Sequence, residues 1–138
     1  MPVDLAPAKL RIEKPWGYEI LWTPPVLGRT GKILFIKAGR RLSLQYHDAK
    51  EETLCLLSGH AVLWLENESG ILERLTMAPE TGYTVLPLRK HRIEAVTDAT
   101  LVEVSEPEKG NTVRVEDDYA RGTETEESRI KERGALAA

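Results

Sequence analysis

Residues 39 to 59 read GRRLSLQYHDAKEETLCLLSG. From Arg41 to His47 the stretch alternates. Leu42, Leu44 and Tyr46 fall on one face; Ser43, Gln45 and His47 fall on the other, which is the period of a β-strand. Asp48 to Glu51 reads as a loop. Glu52 to Ser58 is apolar on both faces and reads as a buried strand. Gln45 and His47 share a face, and the short loop brings Glu52 back beside them. Three donor side chains therefore converge between two glycines, Gly39 and Gly59.

Outward from this stretch the chain stays β-like. Upstream, Trp16 to Trp22 and Gly31 to Lys37 are aromatic and β-branched, with Pro24 and Pro25 between them. Residues 1 to 15 are polar and proline-punctuated, and read as an arm with a short strand at Lys9 to Ile12. Downstream, Ala61 to Glu66 and Ile71 to Met77 flank the turn Asn67-Glu68-Ser69-Gly70. Further strands are predicted at Tyr83 to Leu86, His91 to Val96 and Thr100 to Ser105, with a last short one at Val113 and Val115. Past Glu116 the chain is polar. Glu124, Glu126 and Glu127 read as a solvated run, and Ser128 to Ala138 as a mobile or partner-packed tail with room for a short helix. Roughly ten strands separated by turns predict a sandwich or barrel.

A fourth donor, His91, follows a proline-containing loop and opens a strand. Two histidines with oxygen donors suit a borderline divalent ion: Zn, Mn, Co, Ni or Fe. With Gln45, His47, Glu52 and His91 as ligands, an octahedral shell keeps open positions, as a catalytic metal needs.

The 138 residues fit one domain with a real core. Charged residues make up 30% and the net charge is −3, without a clustered basic patch, so no nucleic-acid partner is expected. The single cysteine, Cys55, forms no internal disulfide and reads as a packed small group on the face opposite Glu52. No apolar h-region opens the chain and no stretch is long enough to span a membrane. A cytoplasmic protein is the expectation.

Gly39, Gln45, His47, Glu52 and Gly59 match the cupin pattern G-x5-H-x-H-x(3,4)-E-x6-G, with glutamine replacing its first histidine. Gly82, Pro87 and His91 resemble the second pattern, G-x5-P-x-G-x2-H-x3-N. Both intervals are one residue shorter, no glycine follows Pro87, and Ala95 stands where asparagine would be. Within cupins, the stretch LSLQYH with Glu52 and LLSG resembles the isomerase domain of type II mannose-6-phosphate isomerases. That family also has glutamine before its first metal-binding histidine. KPWGYEILW resembles its R-P-W-G segment, and Pro87-Leu88 with His91-Arg92-Ile93-Glu94 its P-x-G-x-x-H-R-x-E-N segment. Residues 113 to 121, VRVEDDYAR, resemble its closing V-R-x-E-D-x-Y-G-R.

The resemblance implies an all-β, single-domain cupin-like jelly-roll β-barrel (a double-stranded β-helix) over residues 16–121, between an arm at 1–15 and a polar tail at 122–138. It implies a metal-dependent aldose–ketose isomerase of a sugar phosphate, with one divalent ion held by Gln45, His47, Glu52 and His91. Arg121 is the family-derived candidate for a phosphate contact, since a guanidinium suits phosphate bidentately. Lys90 flanks His91, and Trp16 is a candidate wall of the substrate pocket. No catalytic base is named; Glu94 points away from the face of His91. A dioxygenase and a non-catalytic small-molecule or carbohydrate-binding module are the alternatives. A homodimer is expected, because the arm before Trp16 can add a strand to a partner's sheet.

Overall fold

The computed structural model describes residues 6–25 and 27–133. Among these lie eleven strands: β1 (Leu10–Lys14), β2 (Gly17–Leu21), β3 (Thr30–Ile36), β4 (Leu44–His47), β5 (Glu52–Ser58), β6 (Ala61–Glu66), β7 (Leu72–Thr76), β8 (Gly82–Val85), β9 (His91–Ala95), β10 (Ala99–Ser105) and β11 (Thr112–Glu116). One helix, α1 (Glu126–Arg133), follows them. The six-stranded sheet runs β1-β2-β3-β10-β5-β8 and the five-stranded sheet β11-β4-β9-β6-β7. The pairings between these strands are antiparallel. The two sheets face each other as a jelly roll. No helix among the described residues is long and apolar enough to cross a membrane.

The interior is graded from apolar to polar along its strands. Inward residues of β3 run Ile36, Leu34, Lys32; those of β10 run Ala99, Leu101, Glu103; those of β5 run Leu56, Leu54, Glu52; those of β9 run Ala95, Ile93, His91. The register aligns these layers: Leu34, Leu101 and Leu56 lie side by side, and so do Lys32, Glu103 and Leu54. One end of the barrel is therefore an aliphatic plug. Burial of Ile36, Leu54, Leu56, Leu63 and Leu101, each at most 2% exposed, supplies the stabilisation. Ionisable groups sit at the other end, where the site lies.

Two glycines frame the β4–β5 unit for different reasons. Both adopt positive φ, +77° at Gly39 and +82° at Gly59. At Gly59 a side chain would also strike the Asp98 carbonyl, while Gly39 faces open space. Two positions where the chain departs from the glycines of the isomerase segments adopt the same conformation without glycine. Leu88 has φ +67° and Ala120 has φ +55°. Each holds a left-handed turn at a cost of roughly 1 kcal/mol. The shortened loop still delivers His91, because the Leu88 amide donates to the His47 carbonyl at 2.8 Å.

Several expectations change. The strand expected at Lys9 to Ile12 forms at Leu10–Lys14, where it pairs with β2 at the edge of the six-stranded sheet. The alternating strand expected from Arg41 is regular only from Leu44, and Leu42 packs against the core. The tail does not trail away over its described part. Thr112 and Glu124 form a two-bond bridge, and α1 follows with a reciprocal cap between Thr125 and Ser128 (2.8 and 3.1 Å). Glu124 is paired with Arg129 at 3.0 Å rather than solvated.

Candidate metal centre

His47, Glu52 and His91 converge from β4, β5 and β9, and all three are buried. One ligand atom from each lies within 4.8 Å of the others. His47 Nε2 and His91 Nε2 each lie 3.0 Å from Glu52 Oε1. The placement follows from the strands. His47 ends β4, Glu52 begins β5, and His91 begins β9, which pairs with β4 at Gln45.

The outer ring nitrogens are already engaged. His91 Nδ1 lies 3.0 Å from the Arg89 carbonyl, which can only accept. His91 Nδ1 therefore carries the proton, and in the neutral ring Nε2 presents its lone pair. That lone pair faces a carboxylate oxygen. Although 3.0 Å away, His91 Nε2 forms no hydrogen bond of acceptable geometry and is a buried atom without a partner. His47 Nδ1 is held by Thr112 Oγ1 at 3.0 Å. Histidine ligands of metals are oriented this way, by the nitrogen that does not coordinate. Two acceptors pointed at each other in a buried site fit a cation, so the residues present suit a divalent ion.

The electrostatics agree. Burial pushes His47 below its ordinary pKa, against the pull of Glu52, so the ring favours the neutral form that can ligate. Burial opposes ionisation of Glu52, but its hydrogen bond with His47 and the charge of nearby Lys50 hold it well below the usual carboxylate range. The centre thus holds a carboxylate and neutral imidazole near neutral pH.

The other candidates distribute unevenly. Gln45 lies in register with His91 on one side and Arg114 on the other. Its Oε1 accepts from Ser43 Oγ at 2.6 Å, and its side chain lines the cavities beside the centre. Trp16 is 3% exposed, belongs to the core and borders the larger cavity. Arg121 borders that cavity too, with its fork already on Asp117 at 2.9 and 3.1 Å. Lys90 is exposed and lines neither cavity, so the structure does not bring it to the centre. Arg92 is held by the Leu42 carbonyl at 2.8 Å.

Sequence reasoning missed the rest of the interior. Glu103 is buried on β10, borders both cavities, and leaves Oε2 without a hydrogen bond. Burial, reinforced by the charge of Glu52, pushes its pKa up to about 8, although Lys50 and Lys32 pull the other way. Its signal was available: a glutamate at inward parity between Leu101 and Ser105. Beyond it, toward the mouth, lies an ion-pair network. Lys32 contacts Glu108 closely and Glu19 at 3.8 Å; Lys50 lies 3.6 Å from Glu103 and 3.9 Å from Glu108. From α1, Arg129 reaches Glu108 at 3.2 Å and Arg133 contacts the same carboxylate. The space among these groups is about 60 Å³.

No protein-family model matches the chain, and no curated protein matches it either. Solved structures do. Oxalate decarboxylase of Bacillus subtilis aligns with a TM-score of 0.63 at 18% identity, over 72% of this chain and 27% of that one. KdgF from Halomonas sp. aligns with a TM-score of 0.58 at 14% identity, over 78% of this chain and 92% of that one. Ectoine synthase from P. lautus aligns with a TM-score of 0.60 at 20% identity, over 70% and 68%. At such identities the likeness establishes the fold, which is the single-domain jelly roll of the cupins. The chain spans only about a quarter of the oxalate decarboxylase but most of KdgF.

Proposed function

We propose that the protein is a metal-dependent enzyme that isomerises a sugar phosphate between aldose and ketose, in the manner of mannose-6-phosphate isomerase. The observation that carries this reading is the buried His47–Glu52–His91 centre with a second carboxyl, Glu103, in the same cavity. His47, Glu52 and His91 would hold the divalent ion, with Gln45 as the fourth ligand from β4. Bound there, the ion would supply polarisation of the substrate's C1 and C2 oxygens. The oxalate decarboxylase of the same fold has Mn(II) centres.

Isomerisation moves a proton between C1 and C2, and one positioned group suffices to take it and return it. Glu103 has the attributes: burial, a free oxygen and a pKa near neutrality. It must be ionised to accept a proton from carbon. A cation beside Glu52 favours that form, by cancelling the negative charge that holds the proton on.

A second reading has its own observation. The cavity of about 60 Å³ has room for a few waters, less than a hexose phosphate requires. A smaller substrate, handled by another cupin chemistry such as oxygenation, or simple ligand binding, fits the space.

The test is direct. Purified protein loaded separately with Zn, Mn, Co, Ni or Fe is offered mannose 6-phosphate and fructose 6-phosphate, and both sugars and oxygen uptake are followed. We expect interconversion that Glu52→Ala abolishes and that Glu103→Gln lowers at least ~100-fold. Metal-loaded protein that turns over neither sugar with any ion ends the isomerase reading. Oxygen consumption instead would move the assignment to the second.

A further inference from the structure

The cavity beside the metal centre contains a guanidinium that no carboxylate hydrogen-bonds, its ion pair with Glu124 being a long one. Arg114 lies on β11, one strand away from Gln45 and two from His91, in the same cross-strand row. Cross-strand partners share a face, so its side chain points inward with Gln45 and borders the same cavity as His47 and Lys50. Its side chain is only 12% exposed. Nη1 donates to the Gly122 carbonyl at 2.6 Å, which fixes the guanidinium plane. The nearest carboxylate, Glu124, stays 3.8 Å from Nη2, beyond hydrogen-bond range. Nε is buried and has no partner at all.

Arg121 provides the contrast. It borders the same space, yet Asp117 occupies its fork through two bonds. Lys32 is engaged by Glu108 and Glu19. Lys50, 6% exposed, is held only loosely, at 3.6 and 3.9 Å from two carboxylates. A guanidinium with an unsatisfied N–H on a cavity wall suits an oxyanion, and Lys50 adds a second positive charge on the same wall.

We propose that Arg114, assisted by Lys50, forms the subsite for the substrate's oxyanionic group, a phosphate or a carboxylate, and that Arg121 positions the wall without contacting it. This rests on the reading that the cavity beside the metal centre is the substrate site. It also says which part of the substrate lies where. The anion occupies the β11 side, and the reacting carbons lie toward β9 and β10, between His91 and Glu103.

Binding, read without turnover, separates this assignment from the isomerase. Inorganic phosphate and acetate are titrated by calorimetry into the metal-loaded 138-residue chain and into Arg114→Gln, Arg114→Lys and Arg121→Gln. Folding is checked by circular dichroism and metal content by elemental analysis. We expect saturable binding of at least one anion by the unaltered chain. Arg114→Gln should weaken it at least ~10-fold with metal content unchanged, as loss of a charged hydrogen-bond donor implies. Arg121→Gln should change it less than ~3-fold. The tighter of the two anions identifies the chemistry of the group. If Arg114→Gln does not fold, Arg114→Lys decides, since it keeps the charge but loses the Nε donor and should still weaken binding. The proposal is overturned by no saturable binding of either anion, by unchanged affinity in the Arg114 variants, or by a larger loss in Arg121→Gln. A chain that binds phosphate through Arg114 yet isomerises no sugar keeps the subsite and loses the isomerase. A chain that isomerises with KM unchanged in Arg114→Gln does the opposite.

Discussion

Two groups of buried charges occupy the polar end of this barrel, and they are built on opposite logic. In the metal centre, His91 Nε2 and Glu52 Oε1 face each other as acceptors 3.0 Å apart. In the network near the mouth, cations and carboxylates already alternate: Lys14, Lys32, Arg129 and Arg133 against Glu19, Glu108, Glu124 and Glu132. Burial is similar in both, apart from Glu132, which is exposed. The difference lies in what each group lacks. The centre lacks a positive charge among its donors, while in the network the charges are paired, with the Arg133 Nε left without a hydrogen bond, and they tie α1 to the barrel. Buried charge alone therefore does not mark a ligand site; lone pairs without a partner do.

The largest expected effect breaks the comparison at the centre. His47→Ala removes a donor and the bond to Thr112, and we expect the protein to lose its divalent ion altogether, read as metal per chain after dialysis. Lys32→Met, in the network, should leave metal content unchanged. Full metal content in His47→Ala would refute the ligand assignment.

The next effect breaks the network. Lys32 is buried between Glu19 and Glu108, and although burial works against its charge, those carboxylates and Glu103 raise its pKa overall. Glu108 is correspondingly held far below the usual carboxylate range, despite its burial, by Lys32 and Arg133. Lys32→Met leaves those carboxylates without their central cation, and we expect a loss of about 3–5 kcal/mol in denaturant unfolding. The exposed pair Arg41–Asp118, with both side chains about 40% accessible, should contribute less than about 1 kcal/mol by the same measurement. If Lys32→Met costs no more than that surface pair, the network is not what holds the mouth closed.

The centre was legible in the sequence and the network was not, for a physical reason. Gln45, His47 and Glu52 lie within eight residues, and strand alternation plus one short loop is enough to bring them together. Glu52–Ser58 and Ala61–Glu66 match their expected bounds because both are bounded by turn residues. His91 needed the second pattern, and its short loop works because Leu88 accepts a left-handed conformation that glycine would have announced. The network joins Lys14, Glu19, Lys32, Lys50, Glu103, Glu108 and α1, residues separated by up to 118 positions in a single bond. Local pattern carries no trace of such pairs. A charged residue in a tail, such as Glu124 or Arg129, looks the same whether it is solvated or docked. What was available and unused was parity: Lys32 and Glu103 both interrupt the inward, apolar side of a strand.

Glu103 stands between the two groups, and its titration gives the smallest effect. Its folded-state pKa is raised to about 8, so between its ordinary value of 4.5 and 8 the folded protein holds a proton that the unfolded chain has released. Stability from this group is present at low pH and lost as pH rises through 8. His47 works the other way: its folded pKa is lowered from 6.5, so its contribution grows as pH rises through that value and is complete above it. Glu52 and Glu108, both depressed, titrate only below their ordinary range. The interval from about pH 7 to 8 therefore isolates Glu103. In metal-free protein we expect unfolding free energy to fall there, by at most about 1.4 kcal/mol per pH unit, the limit for one proton. Glu103→Gln, which cannot ionise, should flatten the slope. Bound metal should flatten it as well, because a cation beside Glu52 stabilises the carboxylate and draws the titration below the interval. An unchanged slope in Glu103→Gln would place the proton elsewhere and remove Glu103 as the group that shuttles it.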